Sequence, residues 1–189
     1  HPIAIIYSMN SMRAAYTLGG MEGNSGPWYQ INDRVTDDII NAGYDPFYIS
    51  DEQVAGGELI SRGVRVLFLP MTISVGLGEK AGGLPLLPAL KKFTQSGGMI
   101  VYTHAPSFDE FLQPAALDQA TLAGWTAYDS ISGDLAAALN ARGVKRFVIA
   151  SRPDGTPVPK LTAPVHQLTG EGGGLIATVI RGPEGGEEG

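Results

Sequence analysis

The feature that most constrains this chain is an alternation of two kinds of segment. Ile3-Ala4-Ile5-Ile6-Tyr7-Ser8, Val64-Arg65-Val66-Leu67-Phe68-Leu69 and Met99-Ile100-Val101-Tyr102-Thr103-His104 are short, mostly apolar runs, and stretches with helical spacing lie between them. Runs that are apolar nearly throughout, rather than at every second position, suit strands covered on both faces, as in a parallel sheet. The first run predicts the central strand. The second ends at Pro70, which cannot donate to a ladder.

The intervening segments read as helices and turns. Ser11 to Leu18 predicts a short helix, and Gly19-Gly20 with Gly23, Asn24 and Gly26 predicts a loop. Pro27 suits a first helical turn, and Trp28, Ile31, Val35, Ile39 and Ala42 recur at spacings of three and four, on one face. Gly43 is the expected stop. Asp45 to Ser50 predicts a second strand, Asp51-Glu52-Gln53 a turn, and the stretch around Leu59 and Ile60 a brief helix. Beyond the Gly-rich stretch Ser74 to Gly83, Leu86, Leu87, Leu90 and Phe93 with the Gly97-Gly98 stop predict another helix. Asp134 to Ala141 predicts one more, and Lys145 to Ala150 a last strand.

Strand and helix alternate with short connections, which argues for parallel strands joined by right-handed crossovers. The expected class is therefore α/β: a flavodoxin-like three-layer sandwich with a mostly parallel sheet. Pro153, Pro157, Pro159 and Pro164 mark a change of character. Residues 1–151 are expected to form the α/β domain. Residues 152–189 are expected to be a Pro/Gly-rich linker and partial β segment, with His166 to Leu168 pairing with Leu175 to Ile180. There is no internal repeat.

Composition excludes several function classes. Of 189 residues, 43% are hydrophobic and 17% charged, a globular balance, while 26 Gly and 13 Pro rule out a coiled coil. Lys plus Arg number 13 against 19 Asp plus Glu, a net charge of −6, so nucleic acid is not an expected partner. No apolar stretch approaches the roughly 20 residues of a membrane-spanning helix, so no membrane partner is expected. With no Cys there is no disulfide, thiolate ligand or cysteine nucleophile, and the localisation is left open. The chain starts His1-Pro2 and enters a strand at once, which predicts a piece of a longer protein.

In an open parallel sheet the ligand crevice lies beyond the carboxyl ends of the strands. The candidates there are Ser8 and Asn10 after the first strand, Asp51 after the second, Thr72 after the third, and His104 and Asp109 after the fourth. Thr72 or Ser107 with His104 would supply a hydroxyl and a base, but no Gly-x-Ser-x-Gly elbow is present. Asp109 and Glu110 are a carboxylate pair better explained by loop packing, because adjacent residues point in different directions, with Phe108 and Phe111 as loop anchors. His104, Asp109 and His166 have no metal-ligand spacing. Neither a Walker loop nor Gly-x-Gly-x-x-Gly occurs, so no cofactor and no metal are expected. Trp28, Tyr29, Trp125 and Tyr128 could stack on sugar rings or fill a partner's pocket, with core packing the competing explanation.

A further pattern is carried by Ile3-Ala4-Ile5-Ile6-Tyr7-Ser8 with Met12-Arg13-Ala14-Ala15-Tyr16, then Tyr48-Ile49-Ser50-Asp51-Glu52-Gln53, Val66-Leu67-Phe68-Leu69-Pro70 and Phe93 to Val101. It resembles the class I glutamine-amidotransferase-like domain that serves as the trimerisation domain of bacterial β-galactosidases. The resemblance spans residues 3 to 112. It implies a flavodoxin-type accessory domain beside a catalytic barrel, with the sugar-cleaving carboxylates on that barrel. The implied partners are other domains of a longer parent chain, a second copy in a homo-oligomer, and carbohydrate.

Amidotransferases of this type carry a Cys nucleophile at the sharp turn after a strand, paired with a later His and Glu. The corresponding turn here is Pro70-Met71-Thr72. The nucleophile is missing, so glutamine hydrolysis is not expected. Two readings stay open. One is a noncatalytic accessory or oligomerisation domain of a carbohydrate-active protein. The other is a hydrolase or sugar-binding module using Ser8, Asn10, Asp51, Thr72, His104 and Asp109.

Overall fold

The structure is a computed structural model that describes residues 1–17, 27–76, 86–109, 111–115, 117–131, 133–146, 165–169 and 175–180. In chain order the elements are β1 (Ile3–Tyr7), α1 (Met9–Thr17), α2 (Pro27–Asn41), β2 (Pro46–Ser50), α3 (Asp51–Ala55), α4 (Glu58–Ser61) and β3 (Val66–Leu69). There follow α5 (Leu86–Gln95), β4 (Met99–Tyr102), α6 (Gln119–Ala123), β5 (Thr126–Ala127), α7 (Gly133–Ala141), β6 (Val165–Thr169) and β7 (Leu175–Ile180).

Strands β1 to β5 form one sheet in the order β2-β1-β3-β4-β5, and every neighbouring pair is parallel. Tyr48, Ile5, Phe68, Val101 and Thr126 stand in one row across it. The strands are thus in step, and their carboxyl ends finish at one rim. The middle position belongs to β3 rather than β1. The expectation for β1 is corrected in that respect, although β1 is an interior strand with a partner on each side. Interior placement explains why both runs are apolar on both faces.

Alternate residues of each strand enter different cores, as the two-residue period of a strand requires. Ala4, Ile6, Leu67, Leu69 and Ile100 pack with Val54, Leu59, Leu86, Leu90 and Phe93 from α3, α4 and α5. Ile3, Ile5, Val66, Phe68, Met99 and Val101 pack with Val35 and Ile39 of α2 and Leu135 and Leu139 of α7. Helices on both faces of a parallel sheet make the flavodoxin-like three-layer α/β fold that the alternation predicts.

Other departures are local. Asp51-Glu52-Gln53 opens helix α3 instead of a turn, because Ser50 and Gln53 form a capping box and Asp51 and Glu52 place negative charge in the first turn. Lys145 and Arg146 belong to no strand, and residues 147–150 lie outside the described residues, as do 18–26, 77–85 and Glu110. The elements α6 and β5 are additional. The expected pairing near the end is present, with β6 and β7 antiparallel and a register irregularity between Leu168 and Thr169.

Candidate functional site

The rim is built where β1, β2, β3 and β4 run out. Ser8 follows β1 and immediately precedes α1, and Asp51 follows β2 as the first residue of α3. The register brings these two strand ends side by side, since Tyr7 pairs with Ser50. Three of the sequence candidates meet there. Ser8 donates its hydroxyl to Asp51 Oδ2 at 3.2 Å, and the Asn10 backbone N–H donates to the same oxygen at 3.2 Å. The contribution of Asn10 to this cluster is its main-chain amide.

The cluster continues through two residues outside the six candidates. Ser11 donates its backbone N–H to Ser8 Oγ at 3.1 Å, and the two hydroxyls are 2.9 Å apart. Ser11 Oγ accepts from the Ser74 backbone N–H at 3.1 Å and reaches the Ser74 carbonyl at 3.3 Å. Ser74 in turn donates its hydroxyl to the Asp109 carbonyl at 2.9 Å. Each hydroxyl has one proton, and each has an acceptor within reach in this chain of contacts. Ser8, Ser11, Asp51, Ser74 and Asp109 are all buried. The result is a buried chain of hydrogen bonds that ties together the loops after four strands. Ser11 and Ser74 follow the first and third strands in the sequence, and the topology shows that they bond to each other.

Asp51 is the electrostatic centre of this chain. Burial raises its carboxyl above the ordinary aspartate value, and hydrogen bonds from the Asn10 amide, the Ser8 hydroxyl and the Met9 amide oppose that rise. Its Oδ1 is buried without a hydrogen-bond partner. Oδ2 lies at the N-terminus of α1, where an anion is favoured by unpaired amides and the helix dipole. A side chain of the protein thus occupies the position a bound anion would take.

The remaining candidates are separate in their bonding. Thr72 is fully buried, and its hydroxyl donates to the Pro70 carbonyl at 3.4 Å. His104 is exposed, and its Nδ1 lies 2.9 Å from Thr103 Oγ1. That same oxygen accepts the Met71 amide at 2.8 Å. Among the described residues no hydrogen bond joins His104 to Thr72 or Ser107. Asp109 Oδ1 accepts from the Phe111 and Gln113 amides at 2.8 and 2.9 Å, which folds its own loop.

The turn after β3 is sharp, with Met71 at φ +42°, a left-handed conformation uncommon outside glycine. The side chain displayed there is a thioether, which has no proton for a base to remove. Among the described residues no group of three or more His, Asp or Glu is placed to hold a metal ion. Nor is any helix among them long and apolar enough to cross a membrane. Trp28 and Trp125 are buried and Tyr128 is partly buried beside Phe68, so these three are core residues. Tyr29 differs. Partly exposed, it lines a cavity with Met12, Arg13, Tyr16 and Thr17.

No family model matches the chain, and no curated protein matches it. Among solved structures it is similar to a β-galactosidase from Bifidobacterium adolescentis, at 12% identity and a TM-score of 0.47. That match covers 82% of this chain and 64% of the other.

Proposed function

We propose that this chain is a noncatalytic accessory domain that helps to assemble a larger carbohydrate-active protein. The observation that carries the reading is how the rim residues use their polar groups. Asp51, Ser8, Ser11 and Ser74 bond to one another and to main chain. Thr72 bonds to a main-chain carbonyl, and His104 bonds to Thr103. Hydrolysis by a triad needs a nucleophile within reach of a base and a base held by a third group. The strained turn after β3 carries Met71, in keeping with the amidotransferase-like resemblance and its absent cysteine.

Exposed apolar side chains are available for subunit contacts. Ile60 is 41% exposed and Phe111 48%. Obligate contacts bury apolar surface of this sort in quantity. The test is the molar mass of the parent protein by light scattering, with and without residues 1–189. The expected result is a smaller oligomer when they are deleted. An unchanged oligomer removes the assembly role.

A further inference from the structure

A cavity of about 300 Å³ lies between the end of α1 and the start of α2. Met12, Arg13, Tyr16, Thr17 and Tyr29 line it. This volume is at the small end of the range for small-molecule sites, about 300 to 1,000 Å³, which suits a single ring. It is distinct from the buried rim cluster of Ser8, Asp51 and Ser74, with which it shares no residue.

The lining combines two chemistries. Tyr16 is 66% exposed, and the Tyr29 ring is propped edge-on at 5.0 Å against the buried Trp28. Tyr7 packs on the same indole at 5.0 Å, and Tyr48 on Tyr7 at 6.0 Å, so an aromatic ridge runs from β2 to the cavity. Polar groups sit among these rings. Thr17 donates its hydroxyl to the Arg13 carbonyl, which leaves the Thr17 oxygen free to accept. Tyr29 Oη hydrogen-bonds with the Tyr7 hydroxyl and donates to the thioether of Met12 at 3.5 Å, a weak acceptor that a ligand oxygen would displace.

We propose that this cavity binds one pyranose ring of a carbohydrate, with Tyr16 and Tyr29 against its C–H faces and Arg13 and Thr17 at its hydroxyl edge. A purely aromatic ligand would use the tyrosines and make no use of the guanidinium or the Thr17 oxygen. A small anion would use Arg13 and leave both rings idle. A pyranose has an apolar face and a hydroxylated rim, and it uses both sets. The proposal stands independently of the assembly role, since neither Ile60 nor Phe111 lines the cavity.

Saturation-transfer NMR on the full chain with lactose, cellobiose and xylobiose tests it. At least one disaccharide receives saturation. Tyr16→Ala, at a mostly exposed position that leaves the core intact, weakens that binding about tenfold, the scale of one lost ring contact. Arg13→Ala also weakens it, and Lys92→Ala does not. Absence of transfer to all three sugars overturns the proposal. So does transfer that survives both Tyr16→Ala and Arg13→Ala, or that is lost only on His104→Ala, which would move the sugar to the rim. Light scattering of the parent carrying Tyr16→Ala keeps the two questions apart, because its oligomer is expected to be unchanged.

Discussion

Asp51 and Ser8 are 43 positions apart in sequence and joined by a hydrogen bond of 3.2 Å, which locks the end of β1 to the end of β2. The bond is buried, and it holds a carboxylate over the first turn of α1. The rim of this sheet is therefore braced by its own acid.

That brace has a pH signature. Burial raises the Asp51 carboxyl above 3.8, so in the window between 3.8 and its raised folded value the folded state binds more protons than the unfolded chain. The stabilisation from this group is complete below 3.8 and is lost as pH rises through the folded value. Glu52, lowered chiefly by a backbone hydrogen bond, and Asp118, lowered by the Thr121 hydroxyl and amide, act in the opposite sense. Comparison with Asp51→Asn isolates the one group. Urea unfolding at stepped pH is expected to show the wild-type stability falling relative to the variant as pH rises above 3.8. A difference that stays flat or grows means that burial does not outweigh the hydrogen bonds from Ser8 and the α1 amides, and contradicts the raised carboxyl.

Ser50 caps α3. Its hydroxyl accepts the Gln53 amide at 3.3 Å, and the Gln53 side chain accepts the Ser50 amide at 3.0 Å. Ser50→Ala is expected to cost about 1 kcal/mol, the ordinary worth of an N-cap. The midpoint of a denaturant titration, at unchanged slope, measures it.

Gly98 has no room for a side chain. A Cβ there would overlap the ring of Phe93, which is itself 1% exposed in the core between α5 and the sheet. Gly98→Ala is expected to destabilise by about 1 to 3 kcal/mol, the usual cost of overpacking. Combining it with Phe93→Leu should cost less than the sum of the two single changes, which a double-mutant cycle reads directly.

The layers of this protein are legible in its sequence where burial is two-sided. Ile3 to Ile6 and Val66 to Leu69 are apolar at every position because each strand faces helices on both sides. The α2 stripe from Trp28 to Ile39 is legible for the related reason that one face of a helix enters the core. Short elements are harder to read. Helix α3 has five residues, too few for a period, and its real signal is the Ser50 to Gln53 capping pair. Strand β5 has two residues and no pattern of its own.

The site was legible to a smaller degree. The rule that polar groups gather at strand ends brings Ser8, Asn10 and Asp51 together, but it says nothing about what they bond to. That Asp51 faces α1, and that Ser11 and Ser74 bridge the loops, are tertiary facts set by sheet order. So is the cavity between Tyr16 and Tyr29, whose two walls come from separate helices.

The central claim is that the rim of the sheet is architecture rather than chemistry. Its most direct test is the turnover of the parent protein carrying Thr72→Val and His104→Ala together. Thr72→Val is close in shape and removes only the hydroxyl bonded to Pro70, and His104 is exposed, so the fold should survive both. The account predicts kcat and KM unchanged from wild type at equal oligomer size. A fall in kcat of tenfold or more, with the oligomer intact, would contradict it.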